Sequence, residues 1–390
     1  MKSLLVVILV LATRILFAES WTQRSDFPDE RSLAVSFSIG SRGYMGLGYK
    51  HLGNLFKDWW SFDPSTNIWT QQADFPGSER CGAFGFAIGS KGYTGCGQSL
   101  TITYQDFYEY DPLNNTWNAK SNFPTMRTDA VSFSIGGKGY TGCGLIALNK
   151  TNDFWEYDPL LDTWISKATF PGFPRSEAIG FSINGKGYIG LGNDTMDNFV
   201  NDFYEYDSGL NAWTNRADFV GSPFSDGSSF VISNCGYVLA GHSNELWQFN
   251  TITNSWIRKL DFAGIQRWNA SAFEIDGKGY VCAGDYVVLP NGAGQTSTFW
   301  EYTPDSLNAI DEIDFFKDLN IFYSHDLESL SIITENKIRI IVYTEEGKIL
   351  WDDEVYPGKL QIQTDTWASS VYLVHAERND RSIVRKILKQ

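Results

Sequence analysis

Residues 130–164, AVSFSIGGKGYTGCGLIALNKTNDFWEYDPLLDTW, contain the pattern that decides the fold of this chain. A first run, Ala130 to Ile135, leads through a Gly-Gly pair into a second run, Lys138 to Cys143, and paired glycines favour a tight hairpin turn. A third run, Asp153 to Tyr157, alternates apolar and polar residues, as a half-buried strand does. An Asp-Pro pair then precedes a fourth run around Trp164. The stretch therefore predicts four short antiparallel strands joined by turns.

Two markers from this unit recur along the chain. The Gly-Tyr pair of the second run appears six times, at Tyr44, Tyr93, Tyr140, Tyr188, Tyr237 and Tyr280, with intervals of 49, 47, 48, 49 and 43 residues. The tryptophan of the fourth run recurs at Trp21, Trp69, Trp117, Trp164, Trp213 and Trp256, with intervals of 48, 48, 47, 49 and 43 residues. Two independent markers that keep step in this way indicate an internal repeat.

A four-stranded unit of this length cannot bury both of its faces alone, so the units must stack. Radial stacking of such sheets forms a β-propeller. The repeats begin with a lone fourth strand, residues 21–27, and they stop after a third strand, Thr298 to Tyr302. We therefore expect six blades over residues 19–304, and we expect the strand at 21–27 to complete the last blade, which begins at Arg267, so that no long edge stays unpaired.

Residues 21 to 304 resemble the kelch-repeat family. The likeness lies in the strand-borne tyrosine, a glycine motif just after it, an aromatic-x-Tyr-Asp-Pro element and the tryptophan. Where the family has adjacent glycines, four units of this chain have a Gly-x-Gly motif, as in Gly46-Leu47-Gly48, and two have Ala-Gly. The resemblance implies an all-β, six-bladed propeller of kelch type and places the chain in a divergent subgroup.

The C-terminal segment differs from the repeats. Residues 305–319 are predicted to be a linker, and residues 320–390 contain several β-rich runs with a hairpin-like turn at Glu345-Glu346-Gly347-Lys348. This pattern predicts a small β-sandwich domain.

The C-terminal domain resembles the type A sorting domain of the type IX secretion system. The residues that carry the likeness are Leu330-Ser331-Ile332, Ile338 to Tyr343, Val371-Tyr372-Leu373-Val374 and Val384-Arg385-Lys386-Ile387-Leu388. The resemblance implies that residues 320–390 engage the type IX secretion machinery and that the protein ends outside the cell. An ordinary accessory β-sandwich is the alternative.

The N-terminus and the composition indicate where the protein acts. Residues 1–18 are predicted to be a signal peptide, because Lys2 precedes the apolar run Leu4 to Leu11 and a small residue, Ala18, stands before a plausible cleavage site. The run is too short for a membrane span, so we expect a secreted or bacterial cell-surface protein with no membrane span after signal removal. A formal net charge of −15 argues against a nucleic-acid partner.

Known site chemistries find little support in the sequence. Copper-radical oxidases are the best-known enzymes on kelch propellers, but the propeller region has only His51 and His242 as imidazole ligands. The five cysteines fit neither a disulfide framework nor zinc spacing, and no G-x-S-x-G elbow is present. We therefore expect no metal and no cofactor, and we name no catalytic residue.

A more suggestive set lies thirteen residues before each marker tyrosine. It comprises Arg31, Arg80, Arg127, Arg175, Phe224 and Arg267. This point leads into the strand nearest the axis, so these residues are expected to ring one mouth of the channel, beside Glu79, Glu177, Asp129 and Asp226. We take the set, with Glu79 and Glu177, as candidate ligand-binding residues, because guanidinium groups bind carboxylates with two hydrogen bonds.

The alternative is that these are structural arginines held in salt bridges. A second repeated set, the acidic residue before each third strand, is interpreted as a turn and strand-start cap and comprises Asp58, Asp106, Asp153, Asp202 and Glu245.

Two functions remain open. The first is a non-enzymatic binding module whose variable loops recognise a glycan or an extracellular protein. The second is a carbohydrate-active enzyme similar to the sialic-acid mutarotases, which are also six-bladed kelch propellers; Arg and Glu at the mouth would then hold a carboxylate and transfer protons. We favour binding, because the resemblance covers the fold and includes no catalytic motif.

Overall fold

The computed structural model describes residues 19–288, 292–304, 320–324, 329–335, 337–344, 348–364, 370–378 and 381–389. The predicted signal peptide (1–18) and linker (305–319) lie outside the described residues. The chain divides into two compact units, Met1–Ser306 and Leu307–Gln390. Every regular element in the described ranges is a β-strand, and these ranges contain no helix with the length and apolar character that a membrane crossing requires.

The first unit is a six-bladed β-propeller, as the repeats predicted. Each of blades 1 to 5 is a four-stranded antiparallel sheet with its strands in chain order from the axis outwards. Their strands are Val35–Ile39, Arg42–Gly46, Trp59–Asp63 and Ile68–Gln71 in blade 1; Phe84–Ile88, Lys91–Gly95, Phe107–Asp111 and Thr116–Lys120 in blade 2; Val131–Ile135, Lys138–Gly142, Phe154–Asp158 and Thr163–Ser166 in blade 3; Ile179–Ile183, Lys186–Gly190, Phe203–Asp207 and Ala212–Asn215 in blade 4; and Ser228–Ile232, Cys235–Leu239, Leu246–Asn250 and Ser255–Arg258 in blade 5.

Blade 6 contains strands from both ends of the repeat region. Its strands are Ser271–Ile275, Lys278–Cys282, Phe299–Thr303 and Ser20–Arg24. The last of these pairs with the third strand from Ser20 opposite Thr303 to Arg24 opposite Phe299. The N-terminal strand is therefore the outer strand of blade 6 and closes the ring.

The loops on one face of the propeller contain short pairs of antiparallel strands. They are Tyr49–Lys50 with Asn54–Leu55, Leu145–Ile146 with Asn149–Lys150, Arg175–Ser176 with Asn193–Asp194, and Asp285–Val288 with Gly292–Gln295. All lie between the second and third strands of a blade or lead into its first strand.

The Gly-Tyr marker is explained by the seams between blades. A Cβ added to Gly139 would overlap the ring of Phe86, which lies on the innermost strand of the preceding blade. The same pairing occurs at every seam, in Gly43 with Phe273, Gly92 with Phe37, Gly187 with Phe133, Gly236 with Phe181 and Gly279 with Phe230. Glycine is required because a phenyl ring occupies the space where a side chain would begin.

The marker tryptophans also join neighbouring blades. The indole N–H of Trp117 in blade 2 donates a hydrogen bond of 2.9 Å to the carbonyl of Ala73, which follows blade 1. Equivalent bonds run from Trp213 to Ala168 and from Trp256 to Ala217. Each of these hydrogen bonds contributes about 1 kcal/mol to stability, in addition to the free energy gained by burying the indole ring.

All five cysteines are buried and unpaired. Burial raises the pKa of Cys81 to about 12, so its reactive thiolate form is scarce at neutral pH. The cysteines act as small apolar side chains.

The second unit is a small β-sandwich, as predicted. One sheet contains Asn320–Ser324, Ser329–Thr334 and Gly358–Gln363, and the other contains Ile349–Val355, Ile338–Thr344, Ser370–Arg378 and Arg381–Lys389. Their buried side chains form one core of Leu330, Ile332, Ile338, Ile340, Val342, Val355, Ile362, Val374 and Ala376. Of the predicted hairpin turn, Glu345 to Gly347 lie outside the described residues.

Candidate functional site at the channel mouth

In each blade, the residue two positions before the innermost strand has a left-handed backbone conformation. Together these six residues surround one end of the central channel. They are Leu33, Gly82, Asp129, Glu177, Asp226 and Asn269, with φ of 55°, 62°, 55°, 57°, 59° and 52°. We call them the mouth ring.

Backbone hydrogen bonds join the mouth ring from blade to blade. The N–H of Gly82 donates to the carbonyl of Leu33 (3.1 Å), that of Asp129 to Gly82 (2.9 Å) and that of Asn269 to Asp226 (2.8 Å). Two further bonds run from Leu33 to Asn269 and from Glu177 to Asp129. These bonds fix the positions from which the ring side chains start.

The mouth ring lines a cavity of about 190 Å³. The residue after each ring member is small (Ala34, Ala83, Ala130, Ala178, Gly227 and Ala270), and these residues also line the cavity. Below it lies the central channel, about 760 Å³ in volume, which the innermost strands surround. Hydroxyl groups in the channel bond to the neighbouring blade, as from Ser132 to the carbonyl of Gly85 (2.9 Å). Small side chains therefore keep the axis open.

Three successive blades contribute a carboxyl group to the mouth ring. Burial, together with the negative charge of Glu177, raises the pKa of Asp129 from 3.8 to about 7. Burial also raises the pKa values of Glu177 and Asp226, and each of these two influences the other. With pKa values of about 7, the carboxyl groups of Asp129 and Glu177 are partly protonated near neutral pH, so they both donate and accept hydrogen bonds.

Polar neighbours hold two of these carboxyl groups in place. The side-chain amide of Asn193 donates to Oε2 of Glu177 at 2.7 Å, and the hydroxyl of Ser225 donates to Oδ2 of Asp226 at 2.7 Å. Both partners lie outside the mouth ring and fix the orientation of its carboxyl groups.

The blade 5 to blade 6 side of the mouth carries an aromatic pair. The rings of His242 and Trp268 stack with centroids 4.5 Å apart. Burial lowers the pKa of His242, while the charges of Glu177 and Asp285 oppose this change. Asp285 accepts hydrogen bonds from Asn269 (3.1 Å) and Gln295 (2.5 Å). An aromatic pair therefore lies beside the hydrogen-bonding groups of the mouth.

The arginines expected to ring the mouth are buried instead. All five are at most 1 % exposed. In blades 1 to 4 each forms a two-pronged ion pair with the acidic residue before the third strand, as Arg31 with Asp58 (2.6 Å), Arg127 with Asp153 (2.6 Å), Arg175 with Asp202 (2.5 Å) and Arg80 with Asp106. Each guanidinium also donates to a carbonyl near the end of the second strand, as from Arg31 to Leu47 (2.9 Å).

The structure therefore favours the interpretation that these arginines have a structural role in salt bridges over the interpretation that they bind a ligand at the mouth. It also corrects the interpretation of Asp58 and its equivalents, which are salt-bridge partners as well as turn residues. Each guanidinium stacks on a phenylalanine, as Arg80 on Phe75 with 4.8 Å to the ring centroid. A buried guanidinium whose two terminal nitrogens are engaged in this way is not free to bind a ligand.

Blades 5 and 6 depart from this pairing. Thr298 replaces the acidic residue in blade 6, so Arg267 donates to its hydroxyl at 2.7 Å, and burial lowers the pKa of Arg267 to about 10. In blade 5 Phe224 takes the arginine position and packs on Phe219 at 5.5 Å. Phe224 is 3 % exposed, so this residue, which was expected to line the mouth, is part of the core instead.

Of the eight predicted site residues, only Glu177 is among those that the structure places around the mouth cavity. Glu79 is exposed but does not belong to this lining. Asp129 and Asp226 entered the sequence analysis only as neighbours of the arginines, and Asn269 and Trp268 were missed. All follow the repeated arginine position by one or two residues, which is the signal that could have found them. Within the described ranges no three His, Cys, Asp or Glu side chains are grouped to hold a metal ion.

Comparisons with known proteins are informative for the fold. No model of a protein family matches this sequence, and no curated protein matches it either. A solved structure titled "Structure of YjhT", a propeller-fold protein, is similar with a TM-score of 0.59 and 16 % sequence identity over 70 % of this chain and 95 % of that one. At this identity the similarity shows a shared fold alone, and that fold is the β-propeller.

Proposed function

We propose that this protein is a kelch-type binding module, secreted or on the bacterial cell surface, whose ligand is a glycan or an extracellular protein bound at the channel mouth. The observation that carries the proposal is the mouth cavity, where carboxyl groups from three successive blades line about 190 Å³ on a hydrogen-bonded backbone ring. A rigid scaffold that presents a few convergent polar groups in a cavity is typical of ligand sites.

The chemistry of the mouth favours a ligand with hydroxyl or amino groups. The carboxyl groups of Asp129 and Glu177, which line the cavity, can accept hydrogen bonds from such groups. The stacked pair of His242 and Trp268 lies beside them, next to Asn269. Recognition of a ligand carboxylate by arginine has no support, because the guanidinium groups are buried and occupied. A sugar acid is therefore the less favoured ligand.

A matched pair of substitutions, one just before the innermost strand of blade 2 and one on it, tests where the ligand binds. Ala83 lines the mouth cavity, whereas Ala87 lines the channel further from the mouth, and both are half-buried. We expect Ala83→Leu to abolish binding on glycan and peptide arrays, while Ala87→Leu leaves it intact and serves as the control for folding. Equal binding by both variants would place the ligand elsewhere.

A carbohydrate-active enzyme, such as a sialic-acid mutarotase-like epimerase, is the second candidate. The specific observation that favours it is the pKa of Asp129, raised by burial to about 7, beside Glu177, since a general acid–base works best with a pKa near the working pH. Exchange between sugar anomers, followed by NMR, tests it. For a binding module we expect no acceleration; acceleration that Glu177→Gln abolishes would establish an enzyme.

We further propose that residues 1–18 direct export and that residues 320–390 are a type IX sorting domain, which makes the secretion machinery a partner. Support comes from the resemblance described above and from the compact β-sandwich formed by the second unit. A variant that ends at Pro304 should fold but stay in the periplasm, as cell fractionation would reveal. Normal surface delivery of that variant would contradict the assignment.

A further inference from the structure

The loops that surround the mouth carry exposed apolar side chains. These lie between the second and third strands of blades 1, 2, 3, 4 and 6 and are 50–90 % exposed: Leu52, Leu100, Ile102, Leu148, Met196, Phe199 and Val287. We call them the apolar crown. Blade 5 has a shorter loop and contributes His242 at the equivalent place. Exposed apolar side chains gathered around a polar cavity are typical of interaction surfaces.

Neighbouring loops of the crown touch each other. The ammonium group of Lys150 in blade 3 donates to the carbonyl of Asp194 in blade 4 at 2.6 Å. The N–H of His51 in blade 1 donates to the side chain of Gln295 in blade 6 at 2.9 Å, and Leu100 lies against Gly53 of the blade 1 loop. These contacts hold three pairs of neighbouring loops together.

The centre of the apolar crown is acidic. The carboxyl groups of Asp129, Glu177 and Asp226 line the mouth, and two lysines of the surrounding loops are already paired. Lys50 forms ion pairs with Asp29 and Glu30, and Lys150 forms one with Asp197. The surface thus presents an apolar rim around an acidic centre.

We propose that the apolar crown docks a polypeptide segment of a partner protein in which a Lys or Arg side chain is flanked by apolar residues. The apolar residues cover the crown and the cation enters the mouth. This inference rests on the proposed binding at the mouth and specifies its ligand.

Charge complementarity selects this occupant over the others. A second copy of this chain, with a formal net charge of −15, would bring one acidic mouth against another acidic surface. An anionic membrane surface would be repelled for the same reason. A cationic side chain is the group that the three mouth carboxyl groups attract.

Peptide binding to the full-length protein tests the proposal. The probes are short fluorescent peptides with a central Lys between pairs of Leu or Phe, a matched set with Gln in place of Lys, and a third set with Ser in place of the apolar residues. Anisotropy titrations should give the tightest binding for the first set and about tenfold weaker binding for each of the others. Added salt should weaken binding of the Lys set more than that of the Gln set.

Protein variants then locate the site. Leu148→Ser with Met196→Ser should weaken binding of the Lys set about tenfold or more. Asp129→Asn with Asp226→Asn should remove the preference for Lys over Gln. The matched control is Leu160→Ser with Leu210→Ser, which changes exposed leucines on the opposite face and should have no effect.

The outcomes separate this inference from the proposed function. Equal binding of the Lys and Gln sets would overturn the inference. So would an equal loss of peptide affinity in the crown variant (Leu148→Ser with Met196→Ser) and in the control variant (Leu160→Ser with Leu210→Ser). If Ala83→Leu abolishes binding of a glycan while no peptide set binds, the mouth is a ligand site and the polypeptide assignment is wrong. Concentration-dependent dimerisation that the Leu148 and Met196 substitutions prevent would identify a second copy as the occupant instead.

Discussion

Replacement of Asp129 by Asn removes one charge from the mouth ring and keeps the shape of the side chain. Blade 6 already has Asn269 at the equivalent position, with nearly the same backbone (φ of 52° against 55°), so the fold should accept the change. In the wild type, burial and the charge of Glu177 raise the pKa of Asp129 to about 7. A carboxyl group whose pKa is raised on folding stabilises the protein below its unfolded pKa, and this contribution is lost as the pH rises through the folded pKa.

The size of the effect follows from this pKa. Between about pH 5 and pH 7 the group is ionised in the unfolded chain but protonated in the folded protein, so each pH unit costs the folded state about 1.4 kcal/mol. The upper limit over this interval is about 3 kcal/mol. Because the side chain is only half-buried, solvent screens part of the effect. We therefore expect the free energy of unfolding of the wild type to fall by about 1–2 kcal/mol over this interval through Asp129.

Urea denaturation at several pH values measures the effect. We expect the free energy of unfolding of Asp129→Asn to exceed that of the wild type by about 1–2 kcal/mol more at pH 8 than at pH 5. The reverse substitution, Asn269→Asp, adds a fourth carboxyl group to the ring and should make stability fall more steeply with pH. A difference between Asp129→Asn and the wild type that stays constant over this range would refute the reasoning.

Three further predictions concern the scaffold. Thr298→Asp gives Arg267 the carboxylate that its equivalents have in four other blades, and it should stabilise the protein by about 1–3 kcal/mol in thermal melts, with Thr298→Asn as the matched control. Gly139→Ala should destabilise by about 1–3 kcal/mol because its methyl group meets Phe86 across a blade seam; a double-mutant cycle with Phe86→Ala should show coupling, and additive losses would contradict this contact. Deletion of Ser20–Arg24 opens the edge of blade 6 and should cause aggregation and a lower melting temperature, whereas an unchanged melting temperature would contradict the closure.

The fold could be predicted because its markers perform repeated packing tasks. Gly139 receives a phenyl ring and Trp117 bonds to the neighbouring blade, and the same tasks recur at every seam. Such residues must be alike in all blades, so their spacing gives the number of blades. The repeat region begins with a lone fourth strand around Trp21 and ends with a third strand around Tyr302, and this arrangement predicted that the two strands pair to close the ring.

The site could not be predicted in the same way. Arg80 and Asp106 are 26 residues apart, and each has a plausible local role, so their ion pair is visible only in three dimensions. The mouth ring shares a backbone conformation and no side-chain chemistry, since Leu33 and Asp129 occupy equivalent positions. A pattern of residue types therefore could not indicate that three carboxyl groups meet there.

The closure of blade 6 has a consequence for how the gene could be arranged. Ser20 and Thr303 lie opposite each other in one strand pair, so the two ends of the propeller segment are neighbours in space. A short linker could join them, and new ends could be opened at a surface turn such as Gly136-Gly137, where the structure leaves open space beside both glycines. Chains of this kind, circular permutants, are tolerated when the original ends are close and the new ends lie in exposed turns. Because every seam uses the same contact of phenyl ring and glycine, the blade in which the chain starts is arbitrary, and a permuted gene would encode the same ring.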